Sequence, residues 1–247
     1  METMPTSIFF SVLCFIVGAC FASFLNAWAM RLGHPGESIM TPSRCRSCNK
    51  NLTWGQLIPV ATWLLQQGRC ACQKMALAPQ YILAELALGV TFVVLYHVTD
   101  TLPELLFYAV LSGCLFFFLL TDALHQLLHL PAMIFCLAVG LMFSWQEGQL
   151  LSAWIGASVG FGLLWIINWL YKKFRYQDGL GGGDKYLLAA LGGWFGFPAV
   201  IEILVLASWI GAAWAIILLV NKTPAKKLPL GVFFVLATPL IALKIGQ

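Results

Sequence analysis

No charged side chain falls between Glu2 and Arg31, between Asp122 and Glu147, between Glu147 and Lys172, or between Glu202 and Lys222. Each gap can hold a helix of about 20 apolar residues, the length that crosses the hydrocarbon core of a bilayer. Composition agrees: 60% of the 247 residues are hydrophobic and 10% charged, far from the balance of a water-soluble globule. A soluble chain this rich in Leu, Phe and Trp would expose apolar patches that water does not tolerate, whereas lipid accepts them. Disorder and nucleic-acid binding therefore fit poorly, and the net charge of +4 does not describe a general basic surface, because the cations cluster.

Apolar runs between charges and turn residues predict spans near Ser7–Met30, Pro79–His97, Thr101–Thr121, Leu130–Trp145 and Leu150–Tyr171. A short helix near Lys185–Trp194 follows, then longer ones near Ala199–Val220 and Leu230–Leu243. The expected fold is an all-α polytopic membrane protein of about eight transmembrane helices. The segment Met1–Ser7 carries Glu2 and no Lys or Arg, unlike the basic leader of a signal peptide, so the first apolar stretch is expected to be a permanent span. Arg31, Arg44, Arg46, Lys50, Arg69 and Lys74 lie between the first two spans, Lys172, Lys173 and Arg175 follow the fifth, and Lys222, Lys226 and Lys227 follow the seventh. Eight alternating crossings put all three groups on one side, which the positive-inside rule makes cytoplasmic. Glu2, Asp100, Glu104 and Glu147 fall on the other side, with Lys244 against the trend.

The expected organisation is a first span over 1–31, a polar, basic, cysteine-rich cytoplasmic domain over 32–78, and a bundle over 79–247. The small domain holds Cys45-Arg-Ser-Cys48 and Cys70-Ala-Cys72, four of the eight cysteines. Two close thiol pairs separated by a stretch long enough to fold back suit a tetrahedral zinc ion, although Cys-x-Cys turns more tightly than the usual knuckle. Disulfides are the rival, disfavoured in a reducing cytoplasm, and a reactive or purely structural set of thiols is the third reading. Cys14, Cys20, Cys114 and Cys136 lie in apolar spans, where a small buried hydrophobe is expected.

Two aspartates stand out. Asp122 ends a run of seventeen uncharged residues that follows Glu104. A carboxylate within a span is a functional candidate, and its plain alternative is an interfacial residue that closes the helix. Asp184 follows Gly179-Leu-Gly181-Gly-Gly183, a run that permits close backbone approach, and its plain alternative is an ordinary helix N-cap. In the topology above both lie at the cytoplasmic ends of their helices. Two carboxylates about 4 Å apart would repel by roughly 4 kcal/mol at an effective dielectric of 20, about three pKa units, so such a pair would share one proton. That is the arrangement of an aspartic protease.

The chain resembles the bacterial type IV prepilin peptidases, membrane aspartic proteases of the Gly-x-Gly-Asp class. The resemblance rests on Ala22-Ser-Phe-Leu-Asn26, Cys45-x-x-Cys48, Ile58-Pro-Val60, Gly68-Arg-Cys70, Tyr81-Ile-Leu-Ala-Glu85, Asp122 before His125-Gln-Leu-Leu128, and Gly181-Gly-Gly183-Asp184 before Leu187-Leu-Ala-Ala-Leu-Gly-Gly-Trp194. It implies that Asp122 and Asp184 carry peptide hydrolysis, with Gly181, Gly183, Lys185 and Glu85 supporting the site. It also implies a prepilin or pseudopilin substrate, whose basic leader is removed after a glycine at the cytoplasmic face of the bacterial inner membrane. Many members then methylate the new amino terminus with S-adenosylmethionine. The chain departs from the family at Ala22, where Gly is usual; at Cys70-Ala-Cys72, where Cys-x-x-Cys is usual; and at Lys185, which is adjacent to Asp184 rather than two positions on.

Other readings use the same residues differently. A proton-coupled transporter could relay protons through the two carboxylates, and an assembly scaffold would need neither. His125 and His129, four positions apart, are expected on one helix face at metal-pair spacing, but no Glu lies between them as a metalloprotease would require.

Overall fold

The structure, a computed structural model, describes residues 4–32, 42–44, 50–53, 55, 58–70, 76, 78–175, 181–221 and 229–245. Among them lie helices α1 (Met4–Leu32), α2 (Ala61–Leu65), α3 (Gln80–Val98), α4 (Leu102–His125), α5 (Leu130–Gln146), α6 (Leu150–Arg175), α7 (Asp184–Phe195), α8 (Ala199–Val220) and α9 (Leu230–Ile245). Every apolar run in the sequence thus appears as a helix, and α2 adds a short one within the basic loop. Five of them, α1, α3, α4, α6 and α8, are long and apolar enough to cross a membrane. The apolar helices α5 and α9 are shorter, and twelve-residue α7 is about 18 Å long against a hydrocarbon core of about 30 Å. Large apolar side chains stand exposed along the long helices, including Ile8, Val90, Trp154, Trp209 and Leu219, as a lipid-facing surface requires.

The chain divides into two compact units, Met1–Phe117 and Phe118–Gln247. In the first, small residues let α1 and α3 approach closely: a Cβ on Gly18 would stand 2.7 Å from the Leu88 carbonyl oxygen, and one on Gly89 2.8 Å from the Phe15 ring. Ala19, Ala22 and Ala29 are buried on α1, so Ala22 occupies a position that takes a small side chain. Buried Asn26 accepts a hydrogen bond from Gln80 at 3.4 Å.

In the second unit α7 is the central helix. Nine of its twelve residues are buried, which explains why it has no polar face. Gly156 and Gly160 of α6 face the Gly192 and Leu188 carbonyl oxygens of α7, where a Cβ would stand 2.6 and 2.7 Å away. On the α5 side, Trp194 donates its indole N–H to the Cys136 carbonyl at 2.9 Å, and Ser144 its hydroxyl to the Gly193 carbonyl at 3.0 Å. Gly196, at φ +68°, and Pro198 separate α7 from α8. Lys244, the charge against the topological trend, is ion-paired with Glu202 at 2.8 Å, so α9 carries its cation with a partner on α8.

Two expectations need correction. Cys136 is fully buried, as a small hydrophobe should be, but Cys20 is exposed on α1. His125 and His129 do not share a helix: α4 ends at His125, Gln126 turns the chain at φ +52°, and His129 precedes α5. Four-residue spacing implies a common face only while the helix continues.

Candidate active site

Asp122 lies in the last turn of α4 and Asp184 opens α7, and each is 5% exposed. The glycine run before Asp184 folds back on its carboxylate. Gly181 donates its backbone N–H to Asp184 Oδ2 at 3.0 Å, while the Asp184 N–H returns to the Gly181 carbonyl at 3.2 Å. A Cβ on Gly181 would stand 2.8 Å from that carboxylate oxygen, so the closeness depends on glycine. Asp184 is therefore not an ordinary N-cap. Gly183 holds that position, and the carboxylate points back into the turn.

Asp122 is held by a segment that the sequence did not single out. Its Oδ2 accepts the Val232 N–H at 2.9 Å, and a Cβ on Gly231 would stand 2.7 Å from the same oxygen. The start of α9, 110 positions away in the chain, thus donates otherwise unsatisfied first-turn N–H groups to a carboxylate. Leu128 ties the two halves together. It packs where a Cβ on Gly183 would stand, 2.7 Å from its own Cβ, and its Cδ1 lies 3.4 Å from where one on Gly231 would stand. The one available signal was Pro229-Leu-Gly231 before the last apolar run, a helix-start pattern with no chemistry attached.

The two carboxylates interact. Both are buried, so little water screens one charge from the other, and the field of Asp122 reaches Asp184. Two buried carboxyls that feel each other's charge can share a single proton.

The remaining candidates separate by position. Gly181 and Gly183 are at the pair. Lys185 is beside it in sequence, but its Nζ lies over the rings of Phe161 and Tyr186, at 5.6 and 5.3 Å. Glu85 belongs to the first unit, where it is 7% exposed and accepts the Val60 N–H at 2.7 Å. Val60 has φ +58°, an uncommon conformation for a β-branched residue, so Glu85 anchors a strained turn within the basic loop, just before α2. Glu85→Leu should leave that N–H without its acceptor, costing about 1–3 kcal/mol. Glu85→Gln, which keeps an acceptor oxygen, should remain near wild type. Thermal unfolding of the purified variants would check this, and equal losses in both would refute the anchoring role.

Cys45, Cys48 and Cys72 lie outside the described residues, and Cys70 is buried. Arg44 pairs antiparallel with Asn51, and Arg69 with Ala76. Among the described residues, no group of three or more His, Cys, Asp or Glu could hold a metal ion.

Comparison with known proteins gives two matched segments. Residues 16–99 match the bacterial peptidase A24 N-terminal domain, and residues 109–216 match the type IV leader peptidase family. The chain is 36% identical over 81% of its length to a prepilin leader peptidase/N-methyltransferase of Aeromonas salmonicida (strain A449), covering 70% of that protein. It is 34% identical over 88% of its length to the protein so named in Aeromonas hydrophila, and 33% identical over 78% to that of Klebsiella pneumoniae, covering 77% and 89% of them. No solved structure shows significant similarity to the chain. The start of α9, which holds Asp122, lies beyond both matched segments.

Proposed function

The chain belongs to the prepilin leader peptidase family, and from that premise we propose that it is a membrane aspartic endopeptidase acting through Asp122 and Asp184. The observation that carries this reading is the buried pair itself: two interacting carboxylates on different helices, each tied to a backbone N–H. A transporter would need only that such groups exchange protons; neither matched family favours it.

At rest the pair holds one proton between its two carboxyls. The ionised carboxylate takes a proton from water as the oxygen attacks the scissile carbonyl, and the protonated partner hydrogen-bonds the carbonyl oxygen. Return of a proton to the departing amine breaks the C–N bond. Gly181 and the first turn of α9 keep the two carboxyls in place throughout, because their N–H groups are backbone and cannot rotate away.

The substrate is a prepilin or pseudopilin cleaved after a glycine, and its apolar helix enters from lipid. The basic loops face the cytoplasm of a bacterial inner membrane, and α5, α7 and α9 cross it as well as the five long helices, eight spans in all. The relatives' names carry a second activity, and we extend it to this chain as methyl transfer from S-adenosylmethionine to the new amino terminus. Coexpression with a prepilin, followed by mass spectrometry of the mature N-terminus, tests both. The expected product begins after the glycine and is heavier by one methyl group. An uncleaved prepilin would reject the peptidase, and a cleaved, unmethylated one would remove the methyltransferase alone.

Cys45, Cys48, Cys70 and Cys72 would hold a structural zinc ion in the 32–78 domain. The support is the sequence, two close thiol pairs flanked by the bridged residues Arg44 and Asn51, and Arg69 and Ala76. About one zinc per chain is expected in purified protein. Replacing Cys45 and Cys48 with serine should release it; an unchanged zinc content would refute the ligand set.

A further inference from the structure

The register of α6 on α7 fixes how far the end of α6 extends past Asp184. Gly156 faces Gly192 and Gly160 faces Leu188, so the helices run antiparallel and one further turn brings Leu164, 3% exposed, level with Asp184. There α7 begins, but α6 continues through residues 165–175, about 16 Å farther at 1.5 Å per residue. Every residue of this extension except Asn168 is exposed.

A helix packed against protein hides one stripe, whereas exposure at successive positions runs all the way round. The chemistry instead changes along the axis. Trp165, Trp169 and Tyr171 come first, the residues that favour the membrane–water boundary, and Lys172, Lys173 and Arg175 end the helix. The Lys173 ammonium lies 5.2 Å from the centre of the Trp169 ring, which links the aromatic level to the basic one. A sequence of environments along the helix, without a preferred side, matches a lipid layer better than a protein partner. Three cations at the tip also match anionic headgroups and oppose a basic leader.

We propose that residues 165–175 of α6 are a lipid anchor whose basic tip binds anionic phospholipid headgroups, holding the Asp184 carboxyl about 16 Å beneath them. The scissile peptide must then descend below the headgroups, and the N-terminal side of the substrate must thread from that level to the pair.

The full chain in phosphatidylcholine nanodiscs, titrated with fluorescent phosphatidylglycerol, tests the anchor. Each Lys or Arg near an anionic surface contributes about fivefold in partitioning, so Lys172→Gln, Lys173→Gln and Arg175→Gln together should weaken phosphatidylglycerol binding by roughly a hundredfold. Unchanged binding in the triple variant would overturn the proposal. A spin-labelled unnatural amino acid at Ile167 should be reached by oxygen and shielded from a water-soluble nickel chelate, and one at Phe174 should show the reverse. A label at Ile167 open to the chelate would put the extension in water, and one closed to both quenchers would put a protein against it. Either result also overturns the proposal. No readout uses peptide cleavage, so this idea and the peptidase reading fail separately.

Discussion

Asp184→Asn should abolish leader removal, by at least about a thousandfold, while leaving the protein folded and inserted. The effect follows from chemistry, because an amide can neither give nor accept the shared proton, while its oxygen can still accept the Gly181 N–H that holds the turn. Asp122→Asn should be as severe, and the double variant no worse than either single one, since the two groups act as a unit. The mechanism needs one ionised and one protonated carboxyl, so wild-type cleavage should fall at both ends of the pH scale, where the pair holds two protons or none. Cleavage assays across pH, with thermal unfolding to show that the variants are folded, would check all of this; normal cleavage by both single variants would end the catalytic assignment.

Gly156→Val should be nearly as damaging to activity as loss of a carboxylate, although it touches no reacting atom. Its Cβ would stand 2.6 Å from the Gly192 carbonyl oxygen and from the backbone of Gly196, and neither neighbour is a flexible side chain that could yield. The helices must separate, which displaces the start of α7 and with it Asp184. Overpacking of this kind costs about 1–3 kcal/mol and occasionally more. Gly162, six positions on in the same helix, has nothing within 4 Å of its would-be Cβ, so Gly162→Ala should be neutral or stabilising by up to about 1 kcal/mol. Comparing yield, thermal stability and cleavage for the two variants separates close packing from the general effect of losing a glycine. Equal behaviour would mean that the α6–α7 approach is not needed.

The site was legible in unequal parts. Asp122 was visible because an acid at the end of a long uncharged run is costly in a membrane, and Asp184 because a glycine run delivers it to a helix start. Gly181 and Gly183 were visible as a run, and their separate duties, one donating to a carboxylate and the other making room for Leu128, depend on coordinates. Glu85 came with the family motif and Lys185 as a departure from it, and their side chains serve a strained turn and aromatic rings. The histidine pair misled because spacing describes a face only in an unbroken helix, and Gln126 breaks this one.

Hydropathy by itself determined that the chain is a series of apolar helices and where nearly every one begins and ends. The cost of leaving backbone groups unpaired in lipid is local, and each apolar run meets it alone by becoming a helix. Which helices touch was decided only by tertiary structure, because that depends on where glycines on two separate runs coincide and on which carboxylate meets which free N–H. The start of α9 illustrates this: Gly231 and Val232 are unremarkable in sequence and become part of the site only when folding carries them across 110 positions to Asp122.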